Sequence, residues 1–259
     1  MTAPNVVFLM YHELELPGRP LAQSEAGYVR YVLPQAAFRA QMDWLRQNEW
    51  VGLSVSEALH YPSGKVVAIT FDDGCETDLI AVAPILSEAG FHATFYVTAG
   101  FLDRPGHMSA AQLRALSVSG FEIGCHSMTH AYLNDLGPRE LQVEIVAARS
   151  RLEDLIGRRV EHFSCPGGRY DERALAMTKQ AGYRSVANSH PHANSASTDP
   201  FHLGRVVIMR ETDNSAFSRV CCGNGLWKAQ VGESVRGVAR KILGNPLYDR
   251  VRRRLLREP

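Results

Sequence analysis

The sequence lacks the features that mark several common classes of protein. No run of about 18 apolar residues occurs in the 259-residue chain, so no transmembrane helix is predicted. No basic segment precedes the first apolar stretch, which is therefore predicted to be a strand and not a signal peptide. The five cysteines are odd in number and have no zinc-finger spacing, as is typical of a reducing compartment. These absences predict a cytoplasmic location.

Two common functional motifs are also missing. No Gly-x-Gly-x-x-Gly sequence follows the first predicted strand, which argues against a dinucleotide-binding fold. The zincin sequence His-Glu-x-x-His is absent, because Ser127 stands where that motif has its glutamate. We expect no nucleic-acid partner.

Charge is unevenly distributed, although the net charge is only +1. Residues 1–218 carry 18 Lys and Arg against 24 Asp and Glu, whereas residues 219–259 carry 10 against 3. This break predicts a catalytic domain over residues 1–215 and a basic helical tail over residues 216–259. We expect the tail to form two short helices broken at Gly244-Asn245-Pro246, either packed on the domain or in contact with a membrane surface.

Predicted strands and helices alternate along the chain. Apolar runs such as Val6–Tyr11 and Val66–Phe71 are predicted to be buried strands. Three further strands follow a glycine that ends the preceding helix, at Gly90, Gly120 and Gly182. About eight such alternations predict an α/β fold with a parallel sheet closed into a barrel, and a doubly wound open sheet is the alternative.

Four predicted strands end in residues that can carry chemistry. These ends are Tyr11-His12-Glu13, Phe71-Asp72-Asp73-Gly74, the segment from Cys125 to His130, and Cys165-Pro166-Gly167-Gly168. Because the active-site residues of a β/α barrel lie at the carboxyl ends of its strands, we expect all four segments to meet at one mouth.

The adjacent carboxylates Asp72 and Asp73 are central to this prediction. Side chains alternate along a strand, so the two would point apart unless the chain bends, and a bend at Gly74 would bring them together. Their repulsion would then require a cation or a shared proton. The structural alternative is a cap at the N-terminus of a following helix.

His126 and His130 are predicted to bind a metal ion. Four residues apart, they share one face of a helical turn, and a carboxylate from another strand end would complete a set of three ligands. Two histidines and one aspartate leave positions open for water and substrate, which is typical of a catalytic site. We expect a divalent metal, with Zn2+ as the first choice and Co2+ or Ni2+ as alternatives.

Three of these segments resemble the motifs of the polysaccharide deacetylase family (NodB homology, carbohydrate esterase family 4). Thr70–Gly74 and His126–His130 look like its first two motifs, and Phe163–Gly168 is similar to its third. The resemblance covers roughly residues 1–210, in order and spacing. It implies a distorted (β/α)7–8 barrel that uses a divalent metal to remove N- or O-acetyl groups from sugars.

The resemblance also implies roles for individual residues. Asp72 would be the general base that takes a proton from the attacking water. The region around Gly167 would supply a backbone N–H to the oxyanion, and we expect Gly168 and Tyr170 to contribute to oxyanion or substrate binding. The metal ligands would be Asp73, His126 and His130.

The sequence departs from the family pattern in two places. In the third motif, Ser164 stands in place of the arginine that orients the base, and Gly167 stands in place of an aromatic residue. The late Leu-x-His motif, which supplies the general acid, has no histidine in register. Tyr11-His12 resembles a branch that includes the poly-N-acetylglucosamine deacetylases, which implies His12 as the general acid; a histidine satisfied by a neighbouring loop is the alternative. Arg205 is a candidate to orient the base, and it could equally anchor another carboxylate.

These observations together predict a metal-dependent hydrolase that removes the N-acetyl group from an aminosugar during glycan assembly. The sugar could be free, nucleotide-linked, lipid-linked or part of a glycan. Two alternatives stay open: a metallo-amidohydrolase that acts on a non-sugar amide, and a carbohydrate-binding homologue without catalytic activity.

Overall fold

A curled sheet of eight parallel strands forms the centre of the molecule in a computed structural model, which describes residues 5–61 and 64–255. The strands are β1 Val7–Tyr11, β2 Leu14–Glu15, β3 Leu33–Pro34, β4 Val51–Leu53, β5 Val66–Asp73, β6 Thr94–Val97, β7 Glu122–Cys125, β8 His162–Ser164, β9 Ser185–Ala187 and β10 Val206–Val207. The strand order is β10-β1-β5-β6-β7-β8-β9, and β4 pairs with the first half of β5. A separate pair, β2 and β3, follows the end of β1.

Helices connect most of the strands, as parallel pairing requires. Two π-helical segments, Asp78–Val82 and Gln142–Ala147, lead directly into the α-helices Ala83–Ala89 and Ala148–Ile156. The helices are α1 Ala26–Val29, α2 Gln35–Gln47, α3 Val55–His60, α4 Ala83–Ala89, α5 Ala110–Val118, α6 Pro138–Leu141, α7 Ala148–Ile156, α8 Glu172–Gln180, α9 Asn214–Cys221 and α10 Leu226–Leu255.

The two faces of the sheet pack into two different hydrophobic clusters. On β5, Val67, Ile69 and Phe71 belong to the large cluster that the helices cover, whereas Val66 and Ala68 belong to a smaller cluster inside the curl. Residues of one parity along a strand share a face. The even-numbered residues at the end of β5 are therefore directed to the inside of the curl.

A short segment after β9 joins the two edges of the sheet. Leu203 pairs in parallel with Ala187 of β9, and Val206 and Val207 pair with β1. The result is the distorted (β/α) barrel that the sequence predicted, and the alternative of an open doubly wound sheet is wrong. This closing segment also carries Arg205 into the interior, where its side chain is wholly buried.

The structure refines two predicted boundaries. The strand β5 extends to Asp73, two residues beyond its predicted end at Phe71, so both aspartates lie within the sheet. The helix α10 is broken at Gly244, where φ is 70° and ψ is 159°, which confirms the predicted division of the tail into two helical parts. None of the helices in the described residues is long and apolar enough to span a bilayer.

Candidate active site

The end of β5 brings two neighbouring carboxylates into the same region. Asp72 and Asp73 pair in register with Tyr96 and Val97 of β6. The chain turns at Asp73 itself, where φ is 80°, and continues through Gly74 with φ of 78°. The turn therefore begins at Asp73, one residue earlier than the sequence predicted. Without this turn, regular alternation along the strand would direct the two side chains to opposite faces of the sheet.

Three side chains from two strand ends form a potential metal-binding cluster. One ligand atom from each of Asp73, His126 and His130 lies within 4.8 Å of the other two. The Oδ1 atom of Asp73 is 3.7 Å from Nε2 of His126 and 3.4 Å from Nε2 of His130. This oxygen is buried and accepts no hydrogen bond from the described residues. A buried carboxylate oxygen without a donor beside two imidazole nitrogens fits a divalent cation.

The surroundings of His126 favour a metal-binding form of its ring. Its Nδ1 atom lies 2.8 Å from the backbone carbonyl oxygen of Ser164, to which it can donate only when it carries the proton. Burial lowers the pKa of His126 to about 4, which keeps the ring neutral near pH 7. The Nε2 lone pair then remains available on the side of Asp73.

His130 reaches the cluster from a loop and not from a helix. Residues 126–130 have no helical structure, and φ is 67° at Ser127 and 65° at His130. The N–H of His130 donates to Oγ of Ser127 at 3.0 Å. The prediction that a helical turn brings the two histidines together is therefore wrong, although both rings are in the cluster. Positive φ at non-glycine residues costs on the order of 1–3 kcal/mol each, so other contacts must hold this loop.

The carboxylate of Glu144 holds the histidine loop. One oxygen accepts hydrogen bonds from the backbone N–H groups of Met128 and Thr129 at 2.9 and 2.8 Å, and the other accepts from Oγ1 of Thr129 at 2.6 Å. Glu144 is 5% exposed. A single glutamate in a helical segment outside the motifs gives no signal in the sequence, so this role of Glu144 was not predicted.

We expect the substitution Glu144→Gln to weaken metal binding by about 10- to 100-fold, the usual range for a residue that orients metal ligands. A glutamine amide can replace one oxygen but offers its NH2 group to donors that need an acceptor. Isothermal titration with Zn2+ measures the effect. Glu172→Gln, at an exposed position of α8, is the matched control. A folded Glu144→Gln protein with unchanged metal affinity would refute the role of Glu144.

Arg205 binds the second carboxylate, Asp72, in the barrel interior. Its Nη1 and Nη2 atoms donate to Oδ1 and Oδ2 of Asp72 at 2.6 and 2.7 Å, a bidentate pair in which both side chains are buried. The same guanidinium group also donates hydrogen bonds to Oγ of Ser164 at 2.7 Å and to Oγ1 of Thr70 at 3.2 Å. Burial alone would raise the pKa of Asp72, but Arg205 and the nearby His126 lower it well below its usual value. Asp72 is thus held as a carboxylate.

The ring of His12 lies at the same strand ends. Burial lowers its pKa, and the negative charges of Asp73 and Asp72 partly offset this effect. Its Nδ1 atom is buried without a hydrogen-bond partner among the described residues. Tyr31 lies against the ring, with 5.1 Å between the ring centroids. In the described part of the chain, therefore, no neighbouring loop forms a hydrogen bond with Nδ1 of His12.

The third motif contributes a tight turn beside the site. Gly167 and Gly168 have φ of 59° and 65°, and a Cβ atom at Gly167 would lie 2.9 Å from the ring of Tyr132. The N–H of Gly168 already donates to the carbonyl oxygen of Cys165 at 2.9 Å, so it is not available to an oxyanion in this conformation. The hydroxyl group of Tyr170 is 3.2 Å from Nδ1 of His202.

Sequence comparison finds deacetylases of polysaccharides and peptidoglycan among the proteins similar to this chain. The family model described as "Polysaccharide deacetylase" matches residues 60–186. The Bacillus subtilis protein named "Putative polysaccharide deacetylase YxkH" is 28% identical over 215 residues, which cover 81% of this chain and 73% of that protein. The peptidoglycan-N-acetylglucosamine deacetylase of Bacillus cereus is 29% identical over 123 residues, which cover 47% of this chain and 55% of the relative.

Solved structures show the same architecture. The Streptococcus pyogenes deacetylase PplD, in complex with acetate, has a TM-score of 0.75 at 20% identity and covers 85% of this chain and 99% of its own. IcaB from Ammonifex degensii has a TM-score of 0.68 at 22% identity, with 85% and 97% covered. At these identities the similarity establishes a shared fold.

Proposed function

Because this chain belongs to the polysaccharide deacetylase family, we propose that it is a hydrolase that removes the N-acetyl group from an aminosugar in a metal-dependent reaction. One observation carries the proposal. The cluster of Asp73, His126 and His130 lies beside a separate buried carboxylate, Asp72, whose two oxygens are both bound by one arginine. Such an arrangement separates metal binding from proton transfer.

Asp73, His126 and His130 would hold the metal, for which we propose Zn2+, with Co2+ or Ni2+ as alternatives. A divalent cation in such a site lowers the pKa of water and polarises the acyl oxygen. The neutral ring of His126 and the free Oδ1 of Asp73 are suited to this binding without any rearrangement of protons.

Asp72 would accept the proton of the attacking water, and His12 would donate a proton to the nitrogen that leaves. The contact with Arg205 keeps Asp72 ionised and fixes the direction of its oxygens. Once it is protonated, a histidine whose pKa is lowered is a stronger acid than an ordinary histidine, which suits the transfer of a proton to an amine. The oxyanion would receive a backbone N–H from the region of Gly167.

We propose an N-acetylated aminosugar as the substrate, in a glycan or on a nucleotide or lipid carrier, and a cytoplasmic location. The names of relatives support the aminosugar, since they include peptidoglycan-N-acetylglucosamine and chitooligosaccharide deacetylases. A lipid carrier is included because the basic C-terminal segment could bring the enzyme to a membrane surface.

Acetate release tests this function. We expect acetate from at least one member of a panel that contains free, oligomeric, nucleotide-linked and lipid-linked N-acetylhexosamines. A chelator should abolish release and added Zn2+ should restore it, whereas Asp73→Asn should remain inactive after Zn2+ is added. Release from a non-sugar amide alone would favour the metallo-amidohydrolase alternative, and sugar binding without turnover would favour a non-catalytic protein.

A further inference from the structure

The first part of α10, residues 226–243, exposes a line of large apolar side chains. The successive spacings between them are four, four, three and four residues, which place them on one face of a helix about 80° wide. We call these residues the apolar stripe. They are Trp227 (61% exposed), Val231 (56%), Val235 (65%), Val238 (59%) and Ile242 (76%).

The opposite face of this helix makes contacts within α10 itself. Glu233, whose side chain is 12% exposed, forms ion pairs with Arg236 and Arg240, the former at 2.9 Å. The guanidinium of Arg240 lies 5.8 Å from the ring centroid of Tyr248, which is itself buried. The apolar stripe lies on the other side of the helix from these contacts and is exposed, and contiguous exposed apolar surface of this kind is typical of an interaction site.

The charge of the C-terminal tail indicates which kind of surface binds the apolar stripe. Residues 219–259 have 10 Lys and Arg against 3 Asp and Glu, whereas the rest of the chain has an excess of acidic residues. The two acidic residues of the described part of the tail, Glu233 and Asp249, are both bound to arginines. The cations include four exposed side chains, namely those of Lys228, Arg236, Arg250 and Arg254.

We propose that the apolar stripe binds the surface of an anionic lipid membrane, with the helix lying in the plane of the interface. An amphipathic helix with a basic polar face binds in this way, and a tryptophan at its start suits the boundary between head groups and acyl chains. Anionic lipids attract the basic tail and repel the acidic barrel, so the molecule is oriented with the stripe towards the lipid. A second copy of the chain fits less well, because it would place two basic tails next to each other.

The second part of α10 connects this membrane contact to the candidate active site. Asp249 accepts from the guanidinium of Arg169, directly after the third motif, at 2.6 and 3.0 Å. Arg252 donates to the hydroxyl group of Tyr31 at 2.7 Å, and Tyr31 lies against His12. If the proposed function holds, the stripe would keep the barrel mouth close to sugars that are attached to lipids. The membrane contact itself does not depend on that function.

Sedimentation with vesicles tests the proposal on the full chain. We expect the protein to sediment with vesicles of phosphatidylcholine and phosphatidylglycerol but not with phosphatidylcholine alone, and to be released as the salt concentration rises. Val235→Glu and Ile242→Glu should each lower the vesicle partition coefficient by about tenfold or more, because each removes a buried apolar side chain from the contact. Val118→Glu, at a 78% exposed position of α5, makes the same change in charge and should have a much smaller effect.

Three results would overturn the proposal. The first is the absence of binding to the anionic vesicles, and the second is equal binding by Val235→Glu, Ile242→Glu and the unchanged protein. The third is a protein that does not bind vesicles and instead forms a dimer, measured by light scattering, which these two substitutions dissociate. Acetate release from a water-soluble substrate should be the same in all of these variants. A failure of the proposed function would therefore be seen separately from a failure of membrane binding.

Discussion

Asp72→Asn should lower the rate of acetate release by at least about a hundredfold and leave the affinity for Zn2+ close to that of the unchanged protein. The asparagine keeps the size of the side chain but can no longer accept a proton. Asp72 is not a member of the three-ligand cluster, and although its Oδ2 lies 3.8 Å from Nε2 of His126, both of its oxygens are bound by Arg205. Metal binding should therefore not depend on its charge.

The matched variant is Asp73→Asn, which makes the same chemical change one residue later. We expect this protein to lose both Zn2+ binding and activity, because Oδ1 of Asp73 is the atom that faces both histidines. Titration calorimetry with Zn2+ and acetate release with saturating Zn2+ distinguish the two variants. Full metal affinity in both, or loss of metal in both, would contradict the assignment of separate roles to the two aspartates.

The sequence was sufficient to predict the fold and the strand ends that form the site. The strand β5 is a continuous apolar run, and its aspartates come directly after it, so their position followed from the general property of barrels that strand ends converge. The family motifs then distinguished the two aspartates. Strand periodicity alone predicts that Asp72 and Asp73 point apart, and the positive φ of Asp73 explains why oxygens of both lie near Nε2 of His126, at 3.8 and 3.7 Å.

Contacts between distant residues could not be predicted in the same way. Arg205 lies 133 positions after Asp72, and it reaches the barrel interior because the segment that carries it closes the sheet. Similarly, Glu144 reaches the histidine loop from another element of the fold. The sequence contained both residues, but neither has a spacing that predicts its partner. Arg205 was identified as a candidate only because the family arginine is missing at Ser164.

Arg205→Leu should lower the free energy of unfolding by about 3–5 kcal/mol, the usual effect of removing one partner of a buried ion pair. The reason is that removal of one partner leaves the buried carboxylate of Asp72 without its main compensating charge. Activity should also be lost, because Asp72 would be protonated or displaced. Denaturant unfolding measures the first effect and acetate release the second. Arg205→Lys keeps the charge but not the bidentate geometry, and we expect an intermediate stability with low activity.

Removing both charges separates stability from catalysis. The double variant Arg205→Leu/Asp72→Asn leaves neither partner of this ion pair as an unpaired buried charge, so it should recover most of the stability lost in Arg205→Leu and remain inactive. The stability that the ion pair of Asp72 and Arg205 contributes also depends on pH. In the folded protein the pKa of Asp72 is lowered, so the ion pair contributes its full stabilisation above the ordinary aspartate pKa of about 4 and loses it as the pH falls below that value. The stability difference between the unchanged protein and Arg205→Leu should therefore shrink in acid. A double variant that is less stable than Arg205→Leu would show that Arg205 acts by packing and not by holding the charge of Asp72.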